Sequence, residues 1–441
     1  RDESGGSVDL STIFPLVHVE GFIKHLSVPL FTGVIGWITN WTGVLMLFYP
    51  IKFIGIRIPG LKTLAQFLPR KVLEVPLGLT SGRFGWQGII PSRAAKMGSI
   101  AVDKGLTKLG TPTEFYQQLD PNAIAEHILS TSRHEIDHII DRLMKQHYPL
   151  LWSNVPPSFR QAIHARVDSE LPGIVHELTK EIGLNIDQLL DIKLMVIGYM
   201  EEDPTLANMI FQEMGKRELR LIVHMGFVFG FILGIPLLFL TLTFPVWWLV
   251  PICGAIIGWV TNWLAIAVIF EPVKPVKIGP IALQGLFIRR QRQVADVWAR
   301  IISERIVSLT NIGYELFNGP RGDRTRKLIE NLLRPAVDRA VGVARVPMRA
   351  AIGSRNYDTM SRFAVAEATD LASASLLDAG FNRTQSARIR NLVAEKTRTM
   401  NPNDFADMLR SAIKADEWLL ILHGAVLGIA AGLAHLMVFG A

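Results

Sequence analysis

Long uncharged stretches alternate with amphipathic stretches along this chain. Residues 25–51 contain no Asp, Glu, Lys or Arg, and neither do residues 221–270. A helix needs about 20 apolar residues to cross a bilayer, so the first stretch predicts one transmembrane helix. The second is too long for one crossing, and Phe244-Pro245 divides it because the residue before a proline avoids the helical region. A last apolar stretch, Trp418–Phe439, predicts a fourth crossing.

The stretches between the apolar blocks have helical periodicity. Apolar residues recur every three or four positions from Ala123 to Lys145, and again from Val294 to Leu309. We find no alternating strand pattern of useful length. The sequence therefore predicts an all-α integral membrane protein with four transmembrane helices, in which amphipathic helices form the extramembrane parts.

One membrane segment occurs twice. The stretch Gly33–Pro50 returns as Ala255–Pro272, with a constant offset of 222 residues. Such a repeat indicates a chain of two related halves. The matching positions include Gly36, Trp37, Thr39, Asn40 and Trp41 in the first copy and Gly258, Trp259, Thr261, Asn262 and Trp263 in the second.

Two further matches support this interpretation. Glu218 and Glu417 each precede an apolar helix with glycine at every fourth position, and the turn Gln87–Arg93 resembles Gln284–Arg290 at an offset of 197. The first half thus carries about 25 additional residues between Pro50 and Gln87, which we interpret as a surface loop or a re-entrant segment. The glycines of the two helices are Gly226, Gly230, Gly234, Gly424, Gly428 and Gly432.

The predicted domains follow from these matches. Residues 1–26 precede a first half, 27–243, and a second half, 246–441. Each half is a transmembrane helix, an extramembrane arm and a second transmembrane helix. Counting the crossings places both arms on one side of the membrane, so the halves are parallel repeats. The segments are 27–49, 50–218 and 219–242 in the first half, and 246–270, 271–417 and 418–439 in the second.

Basic residues near the membrane predict the orientation. Residues 51–108 hold ten Lys or Arg against two acidic residues, and further basic residues flank the second copy. The positive-inside rule then places the arms in the cytoplasm, or in the equivalent compartment of an organelle. The sequence begins without methionine, so an organellar inner membrane with the arms in the matrix is the alternative. The basic residues expected to contact lipid headgroups or a partner are Arg93, Lys274, Lys277, Arg289, Arg290 and Arg292.

One stretch has the form of a zinc-protease motif. His134-Glu135-Ile136-Asp137-His138 matches H-E-x-x-H, in which two histidines on one helical face bind zinc beside a general base. A helical wheel places His127, His134 and His138 opposite the apolar stripe, on the solvated face. A catalytic zinc site needs a partly water-excluded cleft, so we expect no metal there and retain a membrane zinc hydrolase only as an alternative.

The polar residues of the membrane helices have two possible roles, and so do the small residues. Asn40 and Asn262 would either bridge helices by hydrogen bonds or line a path for a solute, because an amide in hydrocarbon needs a partner. The glycines would pack helices within one bundle or form the seam of a dimer.

Composition narrows the functional classes further. The net charge is +7, but the charges are interspersed and no nucleic-acid recognition motif accompanies them, so we expect no nucleic-acid partner. The single cysteine, Cys253, excludes an intramolecular disulfide. No phosphate-binding loop, dinucleotide fingerprint or nucleophile pattern is found, so we expect no enzyme activity and no cofactor. Bound phospholipid remains an allowed ligand.

The repeated G-W-[IV]-T-N-W…F-x-P element, the Q-G-[IL]-[IF]-x-x-R turn and the final glycine helix together resemble a bacterial membrane-protein family, catalogued as domain-of-unknown-function family 445. The resemblance covers about Leu30 to Phe439. It implies a protein of a bacterial inner (plasma) membrane with long helical extramembrane segments, and it carries over no catalytic residue. Glu271 before Pro272, where the family has a basic residue, and the insert before Gln87 depart from the pattern.

These observations predict a non-enzymatic membrane protein that acts as a helical scaffold or accessory subunit. Its expected partners are membrane lipids and either other membrane subunits or further copies of itself. The alternative is transport or handling of a lipid or small solute between the arms.

Overall fold

The computed structural model describes residues 16–244, 246–342, 346, 349–350 and 353–439. Within them the chain is predominantly helical with almost no sheet, as the sequence predicts. Most of the predicted N-terminal segment, residues 1–26, lies outside the described part.

The helices differ widely in length, from single turns to 39 residues. They are α1 Leu16–Phe48, α2 Leu61–Ala65, α3 Arg70–Leu73, α4 Ile89–Ser92, α5 Ala94–Ile100, α6 Thr107–Leu109, α7 Pro112–Gln118, α8 Pro121–His147, α9 Pro149–Asn154, α10 Pro157–Leu189, α11 Ile192–Glu202, α12 Thr205–Thr243, α13 Leu249–Phe270, α14 Leu286–Arg289, α15 Gln291–Ile301, α16 Leu309–Asn318, α17 Gly322–Val341, α18 Ser354–Ser375, α19 Ala379–Thr399, α20 Pro402–Ile413 and α21 Glu417–Phe439.

Four helical segments among the described residues are long and apolar enough to cross a membrane, which confirms the predicted number. They lie in α1, α12, α13 and the segment Pro402–Val438, which contains all of α21 except its last residue. Their starts differ from the prediction. The α12 helix begins at Thr205, fourteen residues before position 219, where the sequence predicts its membrane segment to begin. The α13 helix begins at Leu249, three residues after its predicted start at position 246. Membrane boundaries follow apolarity, whereas a helix continues wherever its backbone hydrogen bonds do.

Two short pairs of antiparallel strands were not predicted. We call both pairs hairpins, although two short α-helices lie between the strands of the first pair. Strands β1 Ile54–Arg57 and β2 Arg83–Trp86 pair antiparallel, as do β3 Val276–Ile278 and β4 Ile281–Leu283. Each hairpin follows the proline that ends one copy of the membrane repeat, and the peptide bonds to Pro50 and Pro272 are both cis. Strands of three or four residues are too short to reveal a period of two, so the sequence pattern does not detect them.

The described chain divides into two compact units. The first unit comprises the described residues within 1–97, 204–291 and 401–441, and therefore holds the four membrane segments and both hairpins. Within it, α1 packs along α12 and α13 packs along α21. Asn208 Nδ2 donates to the Phe48 carbonyl oxygen over 2.7 Å and so caps the end of α1.

The second unit comprises residues 98–203 and 292–400, so both predicted arms contribute to it. The α10 helix packs against α8 of the same arm and against α17 of the other, and α18 packs on α8. Part of its core joins Met144 and Trp152 of the first arm with Tyr357 and Met360 of the second. Arg321 of the second arm also pairs with Asp191 of the first, with 2.7 Å between Nη2 and Oδ2.

Candidate functional site

Glycines let the membrane helices approach backbone to backbone. A Cβ atom added to Gly36 would clash with the Gly226 carbonyl oxygen, and one added to Gly258 would clash with that of Gly424. The same relation links Gly254 with Gly428. The six predicted glycines thus lie where α12 meets α1 and where α21 meets α13, within one chain. Small residues permit this spacing because a side chain would separate the helices.

The two repeat asparagines bridge these helix pairs. Asn40 Nδ2 donates to the Ile222 carbonyl oxygen over 2.7 Å, and Asn262 Nδ2 donates to that of Leu420 over 2.6 Å. Both side chains are buried, and so are the neighbouring Thr39 and Thr261. A bond from a side-chain amide to a helix carbonyl satisfies a donor that hydrocarbon could not.

The repeat tryptophans lie on the outer side of the same helices. Trp37, Trp41, Trp259 and Trp263 all keep a large exposed surface. Trp37 and Trp41 stack with 6.1 Å between ring centroids. Exposed indoles on membrane helices suit contact with lipid rather than a cofactor site.

An apolar cavity of about 90 Å³ lies beside the two asparagines. Asn40 is only 3% exposed, and its Oδ1 atom accepts no hydrogen bond from any described residue. The cavity is large enough for several water molecules but offers them few polar partners. Much of the lining comes from matching positions of the two copies, namely Asn40 and Asn262, Val44 and Ile266, Leu47 and Ile269, and Phe48 and Phe270.

Two buried ion pairs cross between the predicted halves. Arg93 of the first half pairs with Asp416 of the second, with 3.2 Å between Nη2 and Oδ1. Arg290, its counterpart at offset 197, pairs with Glu218 of the first half. Both acidic side chains are less than 10% exposed. On sequence alone Glu218 corresponds to Glu417, and this correspondence conceals the pattern. The glycine offset of 198 from Gly226 to Gly424 identifies Asp416 as the counterpart.

The residues predicted to contact headgroups therefore fall into two groups. Arg93 and Arg290 are engaged with buried acids, whereas the other four, Lys274, Lys277, Arg289 and Arg292, are exposed. Contact between these residues and lipid or a partner stays a prediction.

The H-E-x-x-H stretch lies within α8, and the side chain of His134 is outside the described residues. His138 is exposed. His164, a candidate third ligand, instead contacts Asp137 over 2.8 Å and Asp141 over 3.3 Å. No group of three or more metal-ligating side chains forms among the residues that the structure describes. The zinc hydrolase stays an untested alternative.

The helical wheel misplaced one histidine of α8. His127 was expected on the solvated face, but its ring stacks on Phe381 with 4.0 Å between centroids. Its Nε2 atom also lies 3.2 Å from the Ser375 carbonyl oxygen. A wheel describes one helix alone, and in the second unit α8 packs on more than one side.

One acidic cluster of the second unit has a perturbed carboxyl. The pKa of Glu315 is raised above its ordinary value of 4.5, first by burial and then by the negative charges of Asp191 and Glu202. The same cluster, with burial as the larger cause, raises the pKa of Tyr199. Like charges in a partly buried site disfavour ionisation.

Comparison of the chain with family models, with curated proteins and with solved structures finds no match in any of the three. The resemblance drawn from the repeat motifs stays a prediction.

Proposed function

We propose that the chain is a non-enzymatic integral membrane protein that acts as a helical scaffold or accessory subunit. The observation that carries this proposal is that the polar and small residues of the membrane repeat make contacts between helices. Asn40 and Asn262 close helix pairs through backbone carbonyls, and the glycines bring those helices into contact. Residues committed to holding a bundle together suit an anchor for the helical arms better than a solute path.

We further propose that the chain consists of two tandem, parallel halves. Several local features recur at the sequence offset of 197, which supports this architecture. Thr111 and Ser308 each cap a helix through the side-chain oxygen. Helices α10 and α18 begin at Pro157 and Ser354, at the same offset. The glutamine of each turn also repeats its contact: Gln87 Nε2 donates to the Ile51 carbonyl oxygen over 2.8 Å, and Gln284 Nε2 donates to that of Val273 over 3.1 Å.

The proposed location is a bacterial inner membrane with the arms on the cytoplasmic side, or an organellar inner membrane with the arms in the matrix. The charge distribution supports the side assignment. Membership of the family that the repeat motifs resemble belongs to the same proposal.

The scaffold function is tested by extraction in a mild detergent, followed by mass spectrometry of the intact particle. We expect protein subunits, either further copies or other chains, to remain bound. A lone monomer that carries no other protein at any detergent concentration contradicts the scaffold. Alanine substitution of exposed residues on the arms then maps the contact.

A second candidate function is the handling of an apolar molecule, and the cavity beside Asn40 favours it. Its walls are almost wholly apolar, and the free Oδ1 atom would accept one hydrogen bond from a bound hydroxyl. The test is the double variant Asn40→Leu with Asn262→Leu in full-length protein. Loss of a co-purifying alkyl alcohol or protonated fatty acid, with the bundle still folded, supports this candidate. Unchanged lipid content argues against it.

A further inference from the structure

The insert between Pro50 and Gln87 begins where a membrane helix ends. Trp86 Nε1 donates to the Tyr49 carbonyl oxygen over 3.2 Å, and the Gly88 amide donates to that of Pro50 over 2.9 Å. These bonds tie the base of the β1–β2 hairpin to the last turn of α1. Four residues of strand span about 13 Å, and the headgroup layer of a bilayer is about 6 Å thick on each side. The hairpin therefore lies at or close to the membrane surface.

One face of this hairpin is apolar and uncovered. The register pairs Ile54 with Trp86 and Ile56 with Phe84, so these four side chains share a face. Ile54 and Ile56 are each 68% exposed and Phe84 is 50% exposed. The short helix and loop that follow β1 add Leu64 and Phe67, which are also exposed. Exposed apolar surface of this kind, joined to a membrane helix, favours contact with the interfacial layer.

The opposite face carries a pair of basic residues that favours a bound anion. Arg57 and Arg83 are directly opposite each other across the two strands. Like charges in this position are destabilising, and neither arginine makes an ion pair with a described residue. Both line a polar pocket of about 460 Å³ together with Arg93 and Glu74. The carboxylate of Glu74 is shared with Arg70, at 3.2 Å, so the pocket keeps a net positive charge.

We propose that this insert is an interfacial binding element for anionic phospholipid. The apolar face contacts the acyl boundary, while the forked guanidinium groups of Arg57 and Arg83 hold the phosphate of one headgroup. Because the lipid phosphate neutralises the facing arginines, lipid binding also stabilises the hairpin. The inference rests on the proposed membrane anchoring and names a ligand class for it.

The second hairpin provides a matched control within the same chain. Its register places Lys277 opposite Ala282, so it has no facing pair of basic residues. Val276 and Leu283 give it some exposed apolar surface. It therefore resembles the first hairpin in position and in apolar exposure but lacks the proposed phosphate site.

The charged site is tested by native mass spectrometry of the delipidated full-length chain, titrated with phosphatidylglycerol and with phosphatidylethanolamine. We expect Arg57→Gln with Arg83→Gln to weaken phosphatidylglycerol binding roughly 10- to 30-fold, the effect of two basic residues near an anionic surface. Lys277→Gln removes one basic residue but no facing pair, so it should weaken phosphatidylglycerol binding no more than about 5-fold. Equal binding by wild type and double variant overturns the proposal. If the pocket binds inorganic phosphate and the protein shows no preference for phosphatidylglycerol over phosphatidylethanolamine, the pocket is a site for a soluble anion. That result also overturns the proposal.

The apolar face is tested by a nitroxide label at Phe84→Cys, in a Cys253→Ser background reconstituted in vesicles. We expect more frequent collisions with oxygen than with a water-soluble nickel complex, whereas a label at Ser169→Cys in the second unit should show the reverse. Equal nickel accessibility at both sites overturns the inference. If the protein stays in the membrane at alkaline pH, that result leaves the proposed anchoring intact, whereas release at alkaline pH contradicts the anchoring itself.

Discussion

Gly36 and Gly43 lie about two turns apart on α1, but their surroundings differ. A Cβ atom at position 36 would clash with the Gly226 carbonyl oxygen, whereas one at position 43 would lie 3.8 Å from the nearest atom, Nδ1 of His423. We expect Gly36→Ala to lower the unfolding free energy by about 1–3 kcal/mol, because the helices must separate to admit the methyl group. Gly43→Ala should have little effect.

This prediction is measured by thermal unfolding of the full-length variants in one detergent. Gly258→Ala should behave like Gly36→Ala, because Gly258 approaches the Gly424 carbonyl oxygen in the same way. Equal transition midpoints for the alanine variants at positions 36 and 43 would contradict the close packing of α1 and α12.

The raised pKa of Glu315 predicts that the thermal stability of the second unit depends on pH. Burial, followed by the charges of Asp191 and Glu202, raises its folded-state pKa, so the folded protein binds a proton more tightly than the unfolded chain. Its contribution therefore favours folding at low pH and is lost as the pH rises through the raised pKa. Glu315→Gln should raise the thermal midpoint at pH 7, and this gain should shrink as the pH approaches about 4.

Thermal unfolding followed by circular dichroism at several pH values measures the effect, because most of the described helix outside the membrane segments belongs to the second unit. Glu395→Gln, at an exposed position of the same unit, is the control and should leave the midpoint unchanged at every pH. A pH-independent difference between Glu315→Gln and wild type would show that the carboxylate charge is not the cause.

At the scale of elements, the crossed ion pairs join α12 to the end of α14 and α4 to the start of α21. Arg290→Met would leave the Glu218 carboxylate buried without its partner, which typically costs about 3–5 kcal/mol. The double variant Arg290→Met with Glu218→Met should recover much of that loss, since no charge is then left buried. Arg70→Met, which removes an exposed pair with Glu74, should cost less than about 1 kcal/mol.

Unfolding in denaturant is measured for wild type, for the single variants Arg290→Met and Glu218→Met, and for the double variant. These four values give the coupling energy between Arg290 and Glu218. A coupling no larger than that of Arg70 with Glu74 would mean that water reaches the Glu218 carboxylate. The same cycle at Arg93 and Asp416 tests whether the two crossed pairs are equivalent.

How far the sequence predicts these elements depends on the physical constraint behind each. The membrane helices are predictable because hydrocarbon excludes charge over about 20 residues, and this leaves a long, clean signal in residues 25–51 and 221–270. Hairpin β1–β2 leaves no such signal, since four residues cannot establish a period. The helical parts of both arms are predictable from their stripes, but a stripe does not name the helix that covers it, which is why the surroundings of His127 were missed.

The residues of the candidate site also differ in how far the sequence predicts them. Internal similarity singled out Asn40 and Asn262, and the structure provides a carbonyl partner for each. The partner of Arg93 is 323 residues away, and nothing in either local sequence indicates it. His435, buried against Phe31 in the membrane bundle, also had no marker, because it lies outside the repeated motif.

At the scale of the whole molecule, the chain segments that make up the second unit constrain the membrane topology. Segments of both arms pack together within it, and two apolar helices, α12 and α13, separate these segments along the chain. Two crossings return a chain to the side from which it left. Arms on opposite faces of the bilayer could not share one core, so the unit supports the proposed parallel halves.

Single cysteines in a Cys253→Ser background test this arrangement in sealed vesicles. Ser169→Cys in α10 and Thr384→Cys in α19 are exposed and report on the two arms, while Thr243→Cys at the end of α12 reports on the turn before α13. We expect an impermeant maleimide to label the two arm positions from the same side and the turn from the other. Labelling of positions 169 and 384 from opposite sides would contradict both the shared core and the parallel halves. Labelling of all three from one side would instead mean that α12 and α13 do not cross the membrane, and the anchor proposed for the scaffold would be lost.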